Sequence, residues 1–207
     1  MKARTVVAVS AAVVVAAMAA GTMWRRRHRE PGSYTQRFRI QVPRPLITRR
    51  LLFEMLDARP GERVLEVGPG LGYYSLSVAE RLGAKGKLDI LDIQPKMLHQ
   101  TLRRARRHRV PTMVATCGSV EALPYRDEVF DAAFLVTVLG EVNDPAAALR
   151  ELHRVIRPGG RLIVGETFAD PDWVSPQALH RLATAAGFRF ERRIGPRMGY
   201  FSRFTRE

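Results

Sequence analysis

A chain of 207 residues, 46% apolar and 26% charged, has room for one α/β domain with an appendage and too little for two full domains. Its net charge of +14 is unevenly spread: up to Arg50 eleven lysines and arginines face one acid, Glu30, whereas residues 51–207 carry 23 bases and 19 acids. A nearly balanced domain behind a basic, apolar N-terminal end fits anionic lipid better than nucleic acid, and a single cysteine, Cys117, excludes an internal disulfide and a cysteine-cluster metal site.

From Thr5 to Trp24 the chain carries no charge over about twenty residues, the length that spans a bilayer core. Residues 1–29 are read as a single-pass N-terminal transmembrane helix with a basic flank; a cleaved signal peptide ending near Ala17-Met18-Ala19 and an amphipathic arm are the alternatives. The run Arg25 to Arg29 resists export and puts the heavier positive charge after the apolar segment. That leaves the rest of the chain in the cytoplasm, with Trp24 at the interface. Residues 30–45 hold Pro31, Gly32, Pro43 and Pro45 and read as a linker, in which the alternation Phe38, Ile40, Val42 would suit a lid segment. The domain proper, 46–207, opens with a helix: Ile47, Leu51, Met55 and Leu52, Leu56 recur at helical spacing before Pro60-Gly61 turns the chain.

Val64 to Tyr74, VLEVGPGLGYY, reads as a buried strand, a glycine-rich turn and the start of a helix. In an α/β protein that corner takes a nucleotide-like cofactor, because glycines let the backbone approach a ligand and a helix start offers N–H groups. A nicotinamide fingerprint needs G-x-G-x-x-G, but here the third glycine comes early, in Gly68-Pro69-Gly70-Leu71-Gly72. An acid, Glu66, stands two places before the first glycine, and it suits a ligand carrying ammonium and sulfonium groups rather than a pyrophosphate. With this E-x-G-x-G-x-G stretch the chain resembles the class I S-adenosylmethionine-dependent methyltransferases. The resemblance implies a Rossmann-like, doubly wound seven-stranded sheet, S-adenosyl-L-methionine as cofactor, and Glu66, Gly68, Gly70 and Gly72 around it.

The next elements agree with that expectation. A strand from Lys87 to Ile93 leads into a helix starting near Pro95, and Asp92 lies twenty residues beyond Gly72, where such folds place the carboxylate that accepts both ribose hydroxyls. Asp89 is the competing acid but falls mid-strand. Asp92 to Leu98 fits the family's D-x-S/T-x-x-M-L pattern, and Ile93 would touch the adenosine; the arginines from Arg103 to Arg109 read as a solvated helix face. Gly118 to Tyr125 resembles the family's G-D-A-E-x-L-P-F segment. Ser119 replaces the usual Asp that accepts from the adenine amino group, a weaker partner because it is uncharged, and the backbone of Val120 would reach an adenine ring nitrogen.

Phe130 to Val138 is nearly all apolar and reads as a strand buried on both faces, whose end, Thr137 to Glu141, would border the transferred methyl. The N/D-P-P-Y/F motif of enzymes acting on exocyclic base nitrogens is absent there, so no nucleic-acid acceptor is expected. Asn143 or Asp144 caps the next helix ahead of Pro145, and Ile156 to Gly160 matches the family's L-R/K-P-G-G turn into a strand from Arg161 to Glu166. Ser175-Pro176 opens a last helix, Gly187 ends it, and strands from Phe188 to Ile194 and about Tyr200 to Phe204 form an antiparallel pair at one edge. The acceptor pocket is then expected from the linker, the first helix and the loops near Glu141 and Phe168. His153 reads as structural.

Methyl transfer from a sulfonium is an in-line displacement driven mainly by positioning, with roughly 7–11 kcal/mol available from that source. A general base is needed only where the nucleophile starts protonated. Glu141 and Tyr73 are the weak catalytic candidates, Glu166 is a further candidate base, and Tyr73 or Tyr74 is expected to line the cavity; no metal site is expected. The acceptor is expected to be a small molecule or a lipid- or quinone-like compound at the membrane. A non-catalytic cofactor-binding module and, further off, a nicotinamide oxidoreductase are the alternatives.

Overall fold

The computed structural model describes residues 46–110 and 112–207, so the expected anchor (1–29) and linker or lid (30–45) lie outside the described residues. Thr48 accepts a hydrogen bond from the Leu51 N–H and so starts helix α1 (Arg49–Leu56), whose Leu52, Met55 and Leu56 are buried. The chain then alternates strand and helix: β1 (Arg63–Val67), α2 (Ser75–Leu82), β2 (Lys87–Asp92), α3 (Pro95–Arg107), β3 (Met113–Cys117) and β4 (Phe130–Val136). After a short 3₁₀ turn at Leu139–Glu141 come α4 (Pro145–Val155), β5 (Ile156–Thr167), α5 (Pro176–Ala185), β6 (Phe188–Ile194) and β7 (Gly199–Arg206). Asp144 and Ser175 cap α4 and α5 through hydrogen bonds from Ala147 and Ala178, each with Pro as the first helical residue. Among the described residues no helix is long and apolar enough to cross a membrane.

The strands form one seven-stranded sheet in the order β3-β2-β1-β4-β5-β7-β6, with β1 to β5 parallel and β7 antiparallel to both β5 and β6. Strand order reverses between β1 and β4, and in doubly wound sheets the crevice at that reversal is where ligands bind. Side-chain alternation sends each strand's apolar residues to both faces. Val64, Leu88, Ile90 and Phe134 pack with α1, α2 and α3 on one face, and Leu65, Leu91, Leu135 and Val164 pack with α4 and α5 on the other.

Several boundaries differ from the sequence reading, β2 ending at Asp92 rather than Ile93 and β5 at Thr167 rather than Glu166. β4 ends at Val136, not Val138, because Thr137 turns to φ 55° and gives its N–H to the Gly165 carbonyl at 2.8 Å. β5 starts at Ile156 because that residue already pairs with Phe130; the turn at Pro158-Gly159-Gly160 bulges out before pairing resumes between Arg161 and Ala132. β7 runs to Arg206 because it is paired on both edges.

Two buried charges have specific partners. Asp89, 1% exposed, receives Nε and Nη2 of Arg63 at 2.9 Å each, and this two-pronged pair removes the cost of a mid-strand carboxylate. Arg161 ties α1 to β5: it donates to the carbonyls of Leu56 and Asp57 and to both oxygens of Glu62, with the closer Glu62 oxygen at 2.5 Å. Burial pushes the Glu62 carboxyl up, but the hydrogen bonds and charges of Arg161 and Arg59 together outweigh it and hold the group below its usual range. Arg161→Met would strand two carbonyls and a carboxylate, so urea unfolding is expected to show a loss of about 3–5 kcal/mol. Breaking the exposed Arg189–Glu207 pair by Arg189→Ala is expected to cost about 1 kcal/mol or less.

Candidate cofactor and acceptor site

The register places the two acids on one face. Glu66 pairs with Ile90 across β1 and β2, and Asp92 has the same parity as Ile90, two residues further toward the strand end. Asp89 is of opposite parity and belongs to the other face, where Arg63 meets it. Glu66 is 3% exposed and its Oε2 is a buried oxygen without a hydrogen-bond partner. Burial, opposed by the Ser75 side chain and reinforced by the negative charge of Asp92, pushes the Glu66 carboxyl up to about 8. Asp92 is also raised by burial, partly offset by the N–H groups of Gln94 and Ile93; the Gln94 N–H reaches Oδ1 at 2.9 Å.

The glycine loop between these acids is held from behind. Gly68 gives its N–H to the Leu91 carbonyl, and Gly72 gives its own to Pro69, both at 2.8 Å. Neither N–H remains for a phosphate, a donor set suited to a ligand that does not carry one there. Gly68 has φ +67°, and a Cβ on it would meet Val138 Cγ2 at 2.4 Å, so the loops after β1 and β4 touch across the switch point. Gly72 has φ +75° and no room for a Cβ beside Thr101; Gly70 is also left-handed. Thr101 donates to the Gly70 carbonyl at 3.0 Å and Arg104 to the Leu71 carbonyl, two side chains one turn apart on α3 that clamp the loop. The sequence reading put Arg104 on a solvated face. Arg103, Arg106, Arg107 and Arg109 are indeed exposed, but Arg104 is not; its three-residue offset from Thr101 was the available signal.

Ile93, 46% exposed, supplies an apolar wall beside Asp92. Across from it the Ser119 hydroxyl donates to Glu121 Oε2 and accepts from the Glu121 N–H, both at 3.2 Å, while Glu121 Oε1 caps the Asp144 N–H at 2.6 Å. Ser119 therefore holds its own turn together, and the Val120 side chain is buried. Tyr74, expected among the cavity residues, is a core residue instead: it is buried and donates to the Ile47 carbonyl. Tyr73 lies at the surface under the Arg49 guanidinium, 5.0 Å from its ring centroid. Thr137 and Glu141 flank the end of β4, and Glu141 acts electrostatically on Glu166, the buried acid at the end of β5. His153 packs edge-on against Phe188, a structural place as expected. Among the described residues no group of three or more His, Cys, Asp or Glu could hold a metal ion.

The methyltransferase-domain family matches residues 65–164. Over 134 residues the chain is 36% identical to the demethylmenaquinone methyltransferase of Beutenbergia cavernae, covering 64% of this chain and 51% of that protein. Over 152 residues it is 32% identical to a ubiquinone/menaquinone biosynthesis C-methyltransferase of a Shewanella species, covering 73% and 57%. A structure of an S-adenosylmethionine-dependent methyltransferase from Aquifex aeolicus superposes with a TM-score of 0.77 at 19% identity, covering 84% of this chain and 98% of that one. Residues 65–164 are a methyltransferase domain, and the fold around them is that of the class I S-adenosylmethionine-dependent methyltransferases. The chain spans about half the length of the curated relatives it matches. The same fold also appears, at a TM-score of 0.68 and 21% identity, in a [4+2]-cyclase, with 76% of this chain and 79% of that one covered.

S-adenosylmethionine fits these residues. The orphaned Glu66 oxygen is an acceptor awaiting a cation, which the ammonium of the methionine moiety supplies; Asp92, oriented by two backbone N–H groups, can accept from ribose hydroxyls, with Ile93 beside the adenine. Ammonium favours the ionised form of Glu66, so binding near neutral pH should release a proton and tighten as pH rises from 6 toward about 8. Calorimetry of Glu66→Gln is expected to show affinity weaker by roughly tenfold or more and a flat pH response. The same substitution should raise the thermal midpoint of the ligand-free protein, because a carboxyl raised from 4.5 to about 8 costs the folded state progressively across that interval. The gain should be small at pH 5 and largest at pH 8.

Proposed function

We propose that this chain transfers a methyl group from S-adenosylmethionine to a quinol-type aromatic acceptor held at a membrane. The observation that carries the donor half is the same-face pair Glu66 and Asp92 flanking a clamped glycine loop at the switch point of the sheet. The acceptor class is supported by similarity to the two quinone-pathway methyltransferases. A membrane site is supported by the uncharged Thr5–Trp24 segment and its arginine flank, read as a single-pass anchor with the domain on the cytoplasmic side.

Bound S-adenosylmethionine supplies a methyl on a sulfonium, whose S–C bond breaks as the acceptor bond forms, with the bonding pair staying on sulfur. Glu66 would hold the amino end, and Asp92 the ribose. The Thr137–Glu141 turn then borders the reacting centre, and positioning of the acceptor there is the main source of rate. Glu141 stands where it could take a proton from the acceptor.

A second reading, a module that binds the cofactor without methylating, is favoured by the engagement of Ser119 with Glu121 in place of an adenine-binding acid and by the cyclase that shares the fold. Calorimetry with S-adenosylmethionine, S-adenosylhomocysteine and NAD, followed by labelled-methyl transfer to reduced naphthoquinols and benzoquinols, separates the two. Methyl transfer is expected with a quinol embedded in bilayers. A variant lacking residues 1–30 should lose at least about tenfold in rate on the embedded acceptor but not on a water-soluble analogue; equal rates on both would sink the membrane assignment.

A further inference from the structure

Glu166 ends the inward-facing row of β5 and is 1% exposed. Its Oε2 accepts a long hydrogen bond, 3.4 Å, from the Val174 N–H, and its Oε1 is buried with no partner. The acids that act on it come from two loops: Glu141 from the turn after β4, and Asp170 and Asp172 from the loop after β5. Tyr200 stands opposite it on β7, but its hydroxyl is committed to the Val174 carbonyl at 2.7 Å. Arg193 on β6 acts on Tyr200, and no cation acts on Glu166 among the described residues. Burial first, then the neighbouring acids, holds this carboxyl well above its usual range, which favours the protonated form that can donate a hydrogen bond.

A second orphan lies in the same loop. The indole Nε1 of Trp173, one residue before the Glu166 anchor, is buried without a partner, and its ring meets the exposed Phe168 edge-on at 5.4 Å. The loop rests directly on the turn at the end of β4: a Cβ on Gly140 would fall 1.7 Å from the Asp172 carbonyl oxygen. One step beyond the last register pair, Val136 with Gly165, Thr137 comes beside Glu166 in a left-handed conformation that a β-branched residue rarely adopts. A buried carboxyl oxygen at the end of β5 and a buried indole N–H in the following loop, each without a partner, thus lie in segments next to the turn where the acceptor must come.

We propose that Glu166 and Trp173 form the acceptor-recognition site, the carboxylic acid and the indole each donating a hydrogen bond to an oxygen of the methyl acceptor. The inference rests on the methyl-transfer reading of the site and narrows its substrate. An indole N–H can only donate, so it cannot face an ammonium group, and a neutral carboxylic acid beside it donates too. Two donors select a carbonyl, phenol or phenolate oxygen. Glu166 is on this account a positioning residue, acting on the acceptor's orientation rather than on the methyl.

The test uses the full-length chain with S-adenosylhomocysteine bound and a naphthol as probe, read by quenching of Trp173 fluorescence in a Trp24→Phe background. Glu166→Gln, which keeps a donor, is expected to bind the naphthol within about threefold of the parent; Glu166→Leu is expected to lose roughly tenfold. Affinity of the parent should fall as alkaline pH ionises Glu166, and the Gln variant should lack that fall. Equal binding by all three, or a Gln variant as weak as the Leu variant while phenethylamine binds the parent better than naphthol, overturns the inference. Should Glu166→Leu fail to fold, the pH profile of Glu166→Gln decides. Turnover of a reduced naphthoquinol by the wild type is measured separately: intact naphthol binding without turnover would remove the quinol-methylation reading and leave this site standing.

Discussion

A carboxyl near the end of β1, buried and with an oxygen that meets no protein donor, is a large local cost, because an ionised carboxylate removed from bulk water needs a compensating partner. The free domain resolves this by keeping the group protonated, with Asp92 nearby on the same face making a second charge still harder to bear. Much of the surrounding architecture follows from having to hold two acids together at one crevice. The parallel register sets their common face, the Asp92 side chain is fixed by the N–H of Gln94, and Thr101 and Arg104 immobilise the loop that runs between the two strand ends. A ligand with positive charge at one end and hydroxyls further along relieves the cost, so burying these two acids favours that kind of ligand over others.

The loop also shows why a glycine-rich turn does not by itself name a ligand. In a dinucleotide site the turn is used to bring N–H groups to a pyrophosphate. Here two of those N–H groups are spent on Leu91 and Pro69 carbonyls, and the glycines serve a steric end: Gly68 lets the loop meet Val138, which closes β1 against β4. The same permissive residue thus acts through absence of a side chain in both cases, yet one geometry invites an anion and this one does not. Glu66 and the spent N–H groups are independent signs pointing the same way.

Legibility in the sequence tracked the range over which a signal is encoded. β1, β6, the Asp144 and Ser175 caps and the spacing from Gly72 to Asp92 were readable because each is specified within a few residues by apolar runs, capping side chains or a strand length. The bulged start of β5 was not, since Ile156 counts as strand only by virtue of Phe130, twenty-six residues earlier. Arg104 looked like one arginine among many, and only the folded loop gives it the Leu71 carbonyl. Tyr74 failed for the opposite reason: a motif position suggested a cavity, but burial against α1 and the Ile47 carbonyl claimed it for the core.

The two halves of the site differ in the same respect. The donor side, apart from the α3 clamp, draws mainly on two short stretches, the glycine loop after β1 and Asp92–Ile93 at the end of β2, each built by the strand that precedes it. The acceptor side draws Thr137 from just past β4, Glu141 from the following turn, Glu166 from β5, Trp173 from a loop and Tyr200 from β7, and these segments are brought near one another because β5 pairs with β4 on one edge and β7 on the other. A site assembled from five separate segments is free to change one segment at a time without disturbing the donor crevice. That freedom fits a fold found in a protein named as a ubiquinone/menaquinone biosynthesis C-methyltransferase and in one named as a [4+2]-cyclase. The selecting chemistry of this chain therefore has to be sought where its own buried polar atoms lack partners, and among the described residues outside the donor crevice the end of β5 and the loop after it, with Glu166 and Trp173, supply two such atoms.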